Sequence, residues 1–334
     1  MPGRRPFHVI GGRTIRAMLR ARQHDVVSLV RETYRLHHAG STTNPDSYFL
    51  RFPDKPTARI IALPARVQGK RDVVGIKWIS SFPENRNLGL ERASAAILLN
   101  DMATGFPYAC LEASDISAAR TAASATLAAE LLHRGKQAAA VAVIGAGPIA
   151  ATVVDFVLGT GWIIGRFRVH DLIAERAAAF SARLRARGCA ADATAGAVEA
   201  IGGADLVLFA TTSAKPYLDD PGLFTPAQTV LHVSLRDLGV RVILSAQNVV
   251  DDIEHCLKAQ TSPHLAEQET GGRAFIAGTI GDLLTGALQP DRGRVRIFSP
   301  FGLGVLDMAL ARFVYDQALA EGTATAIDDF FASD

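Results

Sequence analysis

Positions Val26, Leu29, Val30, Thr33 and Leu36 in RQHDVVSLVRETYRLHHA, residues 22–39, recur at helical spacing and predict an N-terminal helix. From Tyr48 to about Leu99 the pattern shortens to YFLRF, ARIIALPA, VVGIKWISS and AAILLN. Pro, Gly, Asp and Asn separate these runs, which predict a mostly antiparallel sheet. SDISAARTAASATLAAELLHRG is rich in Ala and Leu, opens on the capping types Ser114, Asp115 and Ser117, and stops at Gly135, so it predicts a long helix. Beyond it AAVAVIGAG, GPIAATVVDFVLG, RFRVHD, IAERAAAFSARLRARG, ADLVLFATT, TVLHVSL and NVVDD alternate strand and helix. That order implies a parallel sheet with right-handed crossovers. The stretch from RVRIFSPFG to the end reads as strand, Gly-rich turn and amphipathic helix, expected to pack back on the first domain.

Composition narrows the class. At 334 residues the chain approaches the length at which one core stops growing, so two domains are expected. With 35 basic and 33 acidic residues there is no global field to hold a polyanion, and nucleic acid is not an expected partner. Cys110, Cys189 and Cys256 are widely spaced, suggesting neither a disulfide framework nor a CxxC metal site and fitting a reducing cytoplasm. His8, His24, His37, His38, His133 and His232 show no metal spacing, and no metal is expected. The N-terminus lacks a signal-length apolar run, since Arg13, Arg16 and Arg20 interrupt it. The most apolar segment, AAAVAVIGAGPIAATVVDFVLG, carries three glycines and a proline and suits a strand, turn and helix better than a membrane span.

VAVIGAGPIA, residues 141–150, sets Gly145, Gly147 and Ala150 at GxGxxA spacing between a strand and a helix. The first glycine permits a tight turn, the second lets the backbone approach a pyrophosphate, and the small third residue lets helix and strand touch. Gly145, Ala146, Gly147, Pro148 and Ile149 are therefore candidate cofactor contacts. Asp171 ends the next strand, where a carboxylate accepts the hydroxyls of an adenosine ribose and repels a 2′-phosphate, favouring NAD over NADP; alone it is equally a strand-end or capping residue. Thr211, Thr212 and Ser213 either line the cofactor edge or satisfy a turn.

Lys77 alternates with Ile76 and Trp78, and by itself such a lysine belongs on the solvent face of a half-buried strand. Arg51 and Arg59 carry the same ambiguity. If Ser117 caps its helix, Arg120 falls in the first turn, where a cation is unfavourable and a bound anion would offset it; Thr121 could add a hydroxyl. Asp237 in HVSLRDLGV ends a strand at the carboxyl edge of the parallel sheet, where ligands of such folds gather, although the local sequence favours an N-cap or turn aspartate.

Together, FLRF before ALPA, GIKWISSFPENRNLGL, LNDMATGFP, EASDISAARTAASA, VIGAGPIA, HVSLRD and FSPFGLGVLD resemble the ornithine cyclodeaminase and mu-crystallin family. The resemblance implies an α/β fold in which a Rossmann-type parallel-sheet domain, 126–298, is inserted into an α+β substrate-binding and dimerisation domain formed by 1–125 and 299–334. It implies NAD as cofactor, a homodimer, Arg51, Lys77 and Arg120 on a substrate α-carboxylate, and Asp237 as acid or base, with Lys77 sharing the proton transfer. Within the family KWISSFPENRNLGLERASAAILLND and FSPFGLGVLD look most like the branch that makes 2,3-diaminopropionate from N-(2-amino-2-carboxyethyl)-L-glutamate for siderophores or antibiotics. LERAS and LRD depart from the cyclodeaminase pattern. A substrate with three carboxylates calls for extra cations, for which Arg92 is the candidate, ahead of Arg86 and Arg236.

Overall fold

The computed structural model describes residues 6–69 and 72–331. It divides into two compact units, Met1–Arg120 with Leu303–Asp334, and Thr121–Gly302. The first unit contains β1 (Phe7–Ile10), α1 (Gly12–Ala21), α2 (Gln23–His38), β2 (Thr42–Thr43), β3 (Tyr48–Phe52), β4 (Lys55–Val67), β5 (Val73–Ser81), β6 (Ala93–Asn100) and β7 (Pro107–Glu112). Helix α3 (Ser114–Leu132) starts in this unit and continues into the second. The second unit adds β8 (Gln137–Ile144), α4 (Pro148–Gly159), β9 (Ile163–His170), α5 (Ala174–Ala186), β10 (Ala191–Ala193), α6 (Ala197–Ile201), β11 (Leu206–Phe209) and β12 (Thr229–His232). It is completed by α7 (Val240–Ser245), β13 (Gln247–Val250), α8 (Ile253–Cys256), α9 (Ser262–Thr270), β14 (Ile276–Thr279), α10 (Ile280–Thr285) and β15 (Arg296–Ser299). Helix α11 (Gly304–Ala320) and β16 (Thr325–Ile327) return to the first unit.

The first sheet runs β16-β1-β7-β6-β5-β4-β2 with β3 on β4, and it is antiparallel except where β1 meets β7. Strands β1 and β7 escape the sequence pattern because they are short and carry polar or proline residues. The N-terminal helix forms where predicted, but its buried face is Val26, Val27, Val30, Thr33 and Tyr34, so Val27 and Tyr34 stand in for Leu29 and Leu36. Helix α1, with arginines at 13, 16 and 20, is amphipathic and buries Ile15, Met18 and Leu19.

One face of this sheet packs on α11, and two glycines make the approach possible. A Cβ on Gly75 would stand 2.1 Å from the Leu98 carbonyl oxygen and 3.1 Å from the Met308 sulfur. A Cβ on Gly304 would meet that of Ala65 at 3.2 Å. Val305 at the start of α11 donates its amide to Asn44 Oδ1 at 3.2 Å, satisfying one of the helix's orphan donors.

The second sheet runs β10-β9-β8-β11-β12-β15-β13-β14 and every pairing in it is parallel. Helices on both faces bury β11, β12, β13 and β15 along their whole length, which is why these strands read as continuous runs and not as alternations. Burial of Phe167, Phe209 and Phe298, all below 2 % exposed, contributes about 1.5–3 kcal/mol apiece. The C-terminal stretch divides: its strand β15 lies between β12 and β13, while its helix α11 and strand β16 belong to the first unit. Ile297 and Phe298 need cover on both faces, and a central parallel strand supplies it.

Candidate active site

Strand β5 alternates, and Lys77 lies on its buried face at 2 % exposure while Trp78 on the other face is 47 % exposed. The solvent-face expectation for a lone strand lysine is reversed here. Nζ of Lys77 donates to Asp307 Oδ2 at 2.6 Å and to Ser117 Oγ at 3.3 Å. Arg120 Nε donates to the other oxygen, Oδ1, at 3.2 Å, and its Nη2 lies 3.4 Å from Ser117 Oγ. Two cations thus share one carboxylate that is 0 % exposed. Among the described residues this leaves an excess positive charge in a buried place, which an entering carboxylate would neutralise.

Burial, and secondarily the positive charge of Arg120, push the Lys77 ammonium from 10.5 down to about 8, against the pull of Asp307. A lysine so poised can hold a carboxylate when charged and accept a proton near neutral pH. Arg120 does not sit in the first turn of its helix. Helix α3 starts at Ser114, its first amides donate to Glu112 at 2.6 Å and 3.3 Å, and Arg120 lies nearly two turns in. The dipole argument for a bound anion therefore falls away; Asp307 is the carboxylate that faces Arg120. Asp307 was missed by sequence reasoning, although the signal was present. It interrupts the apolar run VLDMALA, and a carboxylate buried on all sides must meet cations.

Arg51 does not join this cluster. It is exposed at the end of β3, its guanidinium 5.2 Å from the Phe49 ring centroid, and it pairs across the sheet with Arg59. Arg92, half-buried before β6, reaches Ser81 Oγ at 3.4 Å. The side chain of Arg86 lies outside the described residues. Arg236 donates to the carbonyls of Ala214 at 3.4 Å and Ala259 at 3.0 Å, a loop-tying arrangement.

In the second unit Gly145 adopts φ +92°, and a Cβ there would lie 2.7 Å from the Ala210 carbonyl oxygen, so the turn requires glycine. Gly147 is extended, caps α4 ahead of Pro148 at the first helical position, and has open space where its Cβ would stand. Ala150 is fully buried. Asp171 accepts the Ala146 amide at 2.8 Å on Oδ2 and the Ile173 amide at 2.9 Å on Oδ1, bracing the turn; each oxygen keeps capacity for a further donor. A glycine turn with an open flank, a helix N-terminus and a carboxylate at the following strand end fits a dinucleotide. Ile149 lies in the first turn of α4, and Thr121 follows Arg120 on α3.

Asp237 is completely buried in the same unit. Hydroxyls of Thr211 and Ser234 donate to its two oxygens, and Tyr217 donates to Oδ1 at 3.0 Å. Nε2 of His232 lies 3.2 Å from the Asp237 amide and 3.4 Å from Oδ2, accepting from the former when neutral and donating to the latter when protonated. Burial pushes the Asp237 carboxyl up, but hydrogen bonding by His232, Ser234 and Thr211 outweighs it and holds the group below its ordinary value. Burial and the adjacent carboxylate push the Tyr217 phenol well above its own, so it stays a donor. Thr212 is exposed, and Ser213 Oγ donates to the Lys215 carbonyl at 2.6 Å. Thr211 thus has an Asp237 contact that its sequence did not announce.

The profile of the ornithine cyclodeaminase/mu-crystallin family matches residues 14–322. The N-((2S)-2-amino-2-carboxyethyl)-L-glutamate dehydrogenase of Staphylococcus aureus is 32% identical over 279 residues, 81% of this chain and 82% of that protein. The alanine dehydrogenase of Archaeoglobus fulgidus is 28% identical, covering 92% of this chain and 94% of that one. An archaeal alanine dehydrogenase dimer with bound NAD superposes with a TM-score of 0.87 at 26% identity, over 98% of this chain and 100% of the other. Among the described residues no helix is long and apolar enough to cross a membrane, and no group of His, Cys, Asp and Glu could hold a metal ion.

Proposed function

The chain belongs to the ornithine cyclodeaminase/mu-crystallin family, and from that footing we propose that it is an NAD-dependent dehydrogenase of N-(2-amino-2-carboxyethyl)-L-glutamate. The reaction oxidises the glutamyl Cα–N bond and releases L-2,3-diaminopropionate and 2-oxoglutarate. The carrying observation is the buried pair of cations on one carboxylate, Lys77 and Arg120 on Asp307, a ready seat for a substrate α-carboxylate. The 32% identical S. aureus relative supports the choice of substrate.

NAD held at Gly145–Ile149 and Asp171 supplies the hydride acceptor. Arg120 and charged Lys77 hold the α-carboxylate and orient the reacting carbon. Asp237, kept ionised by its hydroxyl shell, takes a proton as the secondary amine becomes an imine. Water adds to the imine, and the carbinolamine collapses to amine and keto acid as Lys77 or Asp237 returns a proton.

A homodimer is part of the same reading. Tyr48, Leu50, Trp78, Leu98 and Val9 lie on the sheet face opposite Lys77 and are 37% to 81% exposed, an apolar face suited to a second copy. Trp78→Asp should convert dimer to monomer by light scattering.

Incubation with NAD+ and the aminocarboxyethyl-glutamate should raise absorbance at the NADH band and give both products by mass spectrometry. Absence of NADH above a Lys77→Met control defeats the proposal. Release of proline and ammonia from ornithine without net NADH would favour cyclodeamination instead.

A further inference from the structure

The register of the first sheet sorts the side chains around Lys77 into rows. Leu63, Lys77, Ile97 and Leu111 stand opposite one another across β4, β5, β6 and β7. The next row toward the end of β5 is Phe49, Ile61, Ile79 and Ala95, across β3, β4, β5 and β6. Directly opposed residues share a face, and so do residues two apart on one strand, so both rows lie on the face that carries Lys77. Helix α11 roofs the first of them: a Cβ on Gly304 would stand 3.7 Å from that of Leu63, and Asp307 reaches Lys77.

Ile97 and Leu111 are fully buried, whereas Leu63, Phe49, Ile61, Ile79 and Ala95 are each half-buried. Among the described residues of the two rows Lys77 is the only charged side chain. The α-carboxylate seat therefore adjoins a strip of sheet that is partly open and apolar throughout, and a ligand that covers such surface gains by removing it from water. Ile79 follows Lys77 by two residues, roughly 7 Å along the strand. A chain of four or five carbon–carbon bonds, about 1.5 Å each, bridges that distance. A charge on its first carbons would rest on apolar side chains and lose hydration without compensation.

We propose that Leu63, Ile61 and Ile79 form an apolar floor that takes the first methylenes of the side chain of a substrate whose α-carboxylate rests on Lys77 and Arg120. Ile79, on the strand of Lys77 itself, is the specificity-determining residue. The site selects 2-amino and 2-oxo acids that carry at least two uncharged carbons next to the reacting carbon, and it disfavours shorter ones. The two glutamyl methylenes of the aminocarboxyethyl-glutamate meet that requirement. The floor deepens the dehydrogenase proposal and rests on it only for the identity of the α-carboxylate seat.

Binding without turnover separates the two. NADH-loaded protein is titrated calorimetrically with pyruvate, 2-oxobutanoate and 2-oxopentanoate, which share the α-carboxylate and differ by one methylene at each step. Wild type should bind about threefold more tightly for each methylene added. Ile79→Thr keeps a β-branched side chain on the strand but sets a hydroxyl on the floor. It should cut the gain below about 1.5-fold per methylene while pyruvate affinity and the melting temperature stay as in wild type, and Ile79→Val should keep most of the gain. Affinities that stay level or fall along the wild-type series, or a gain that Ile79→Thr leaves unchanged, overturn the floor. A rising series with no NADH from the aminocarboxyethyl-glutamate defeats the substrate assignment and leaves the floor standing; NADH from it with a level series does the reverse.

Discussion

Asp307 in the first unit and Asp237 in the second are both fully buried carboxylates, yet their surroundings oppose each other. Asp307 meets an ammonium and a guanidinium, so its neighbourhood carries surplus positive charge. Asp237 meets three hydroxyls and one imidazole, so it keeps a negative charge without a fixed cation against it. The same residue type is therefore fitted for different work. A carboxylate shared by two cations serves to aim Lys77 and Arg120 at an anion. One held by hydroxyls can gain and lose a proton with little rearrangement.

The largest break of this contrast is Asp307→Asn. It strips the counter-charge from buried Lys77 and Arg120 and should cost about 3–5 kcal/mol in urea denaturation, as expected when one partner of a buried ion cluster is removed. Asp237→Asn should fold with a much smaller loss while abolishing turnover. Next in size, Gly145→Ala places a methyl against the Ala210 carbonyl in a left-handed conformation, and should weaken NADH binding more than tenfold by fluorescence titration.

The pH dependence sharpens the comparison. The folded value of Lys77, about 8, lies below its ordinary 10.5. Its ammonium is thus disfavoured in the folded state, fully so below about pH 8, and this penalty fades as pH rises from 8 to 10.5, where the unfolded chain still holds the proton. Because the ammonium grips the substrate, kcat/KM should fall above about pH 8, and in Lys77→Arg any remaining activity should lack that limb. Asp237 is depressed, so its contribution to stability is present above the ordinary carboxylate range and is lost as pH falls through its folded value. The smallest effect expected is that of Tyr217→Phe. Losing one hydroxyl donor should cost about 0.5–1.5 kcal/mol at pH 7 and move the acid limb of the rate profile upward.

The continuous runs of the parallel strands were legible in the sequence because they follow from cover on both faces, whereas the alternation of β5 showed a strand but set Lys77 on the wrong side of it. The glycine turn was legible too, since only glycine suits Gly145. What escaped was long-range pairing. Nothing local tells Lys77 that a carboxylate 230 positions later will meet it, and Asp307 passed as one acidic residue in an amphipathic helix. A cap at Ser117 puts the helix start of Arg120 four residues too late, and the counter-charge of Arg120 comes instead from α11. The hydroxyl shell of Asp237 draws on Thr211, Tyr217 and Ser234, turn residues with no pattern of their own.

The measurement closest to the central claim is calorimetric titration of NADH-loaded protein with 2-oxopentanoate, whose one charged group is its α-carboxylate. The account predicts binding by the wild type and at least thirtyfold weaker binding by both Lys77→Met and Arg120→Met in folded protein. Affinities within twofold of wild type in either variant would contradict it.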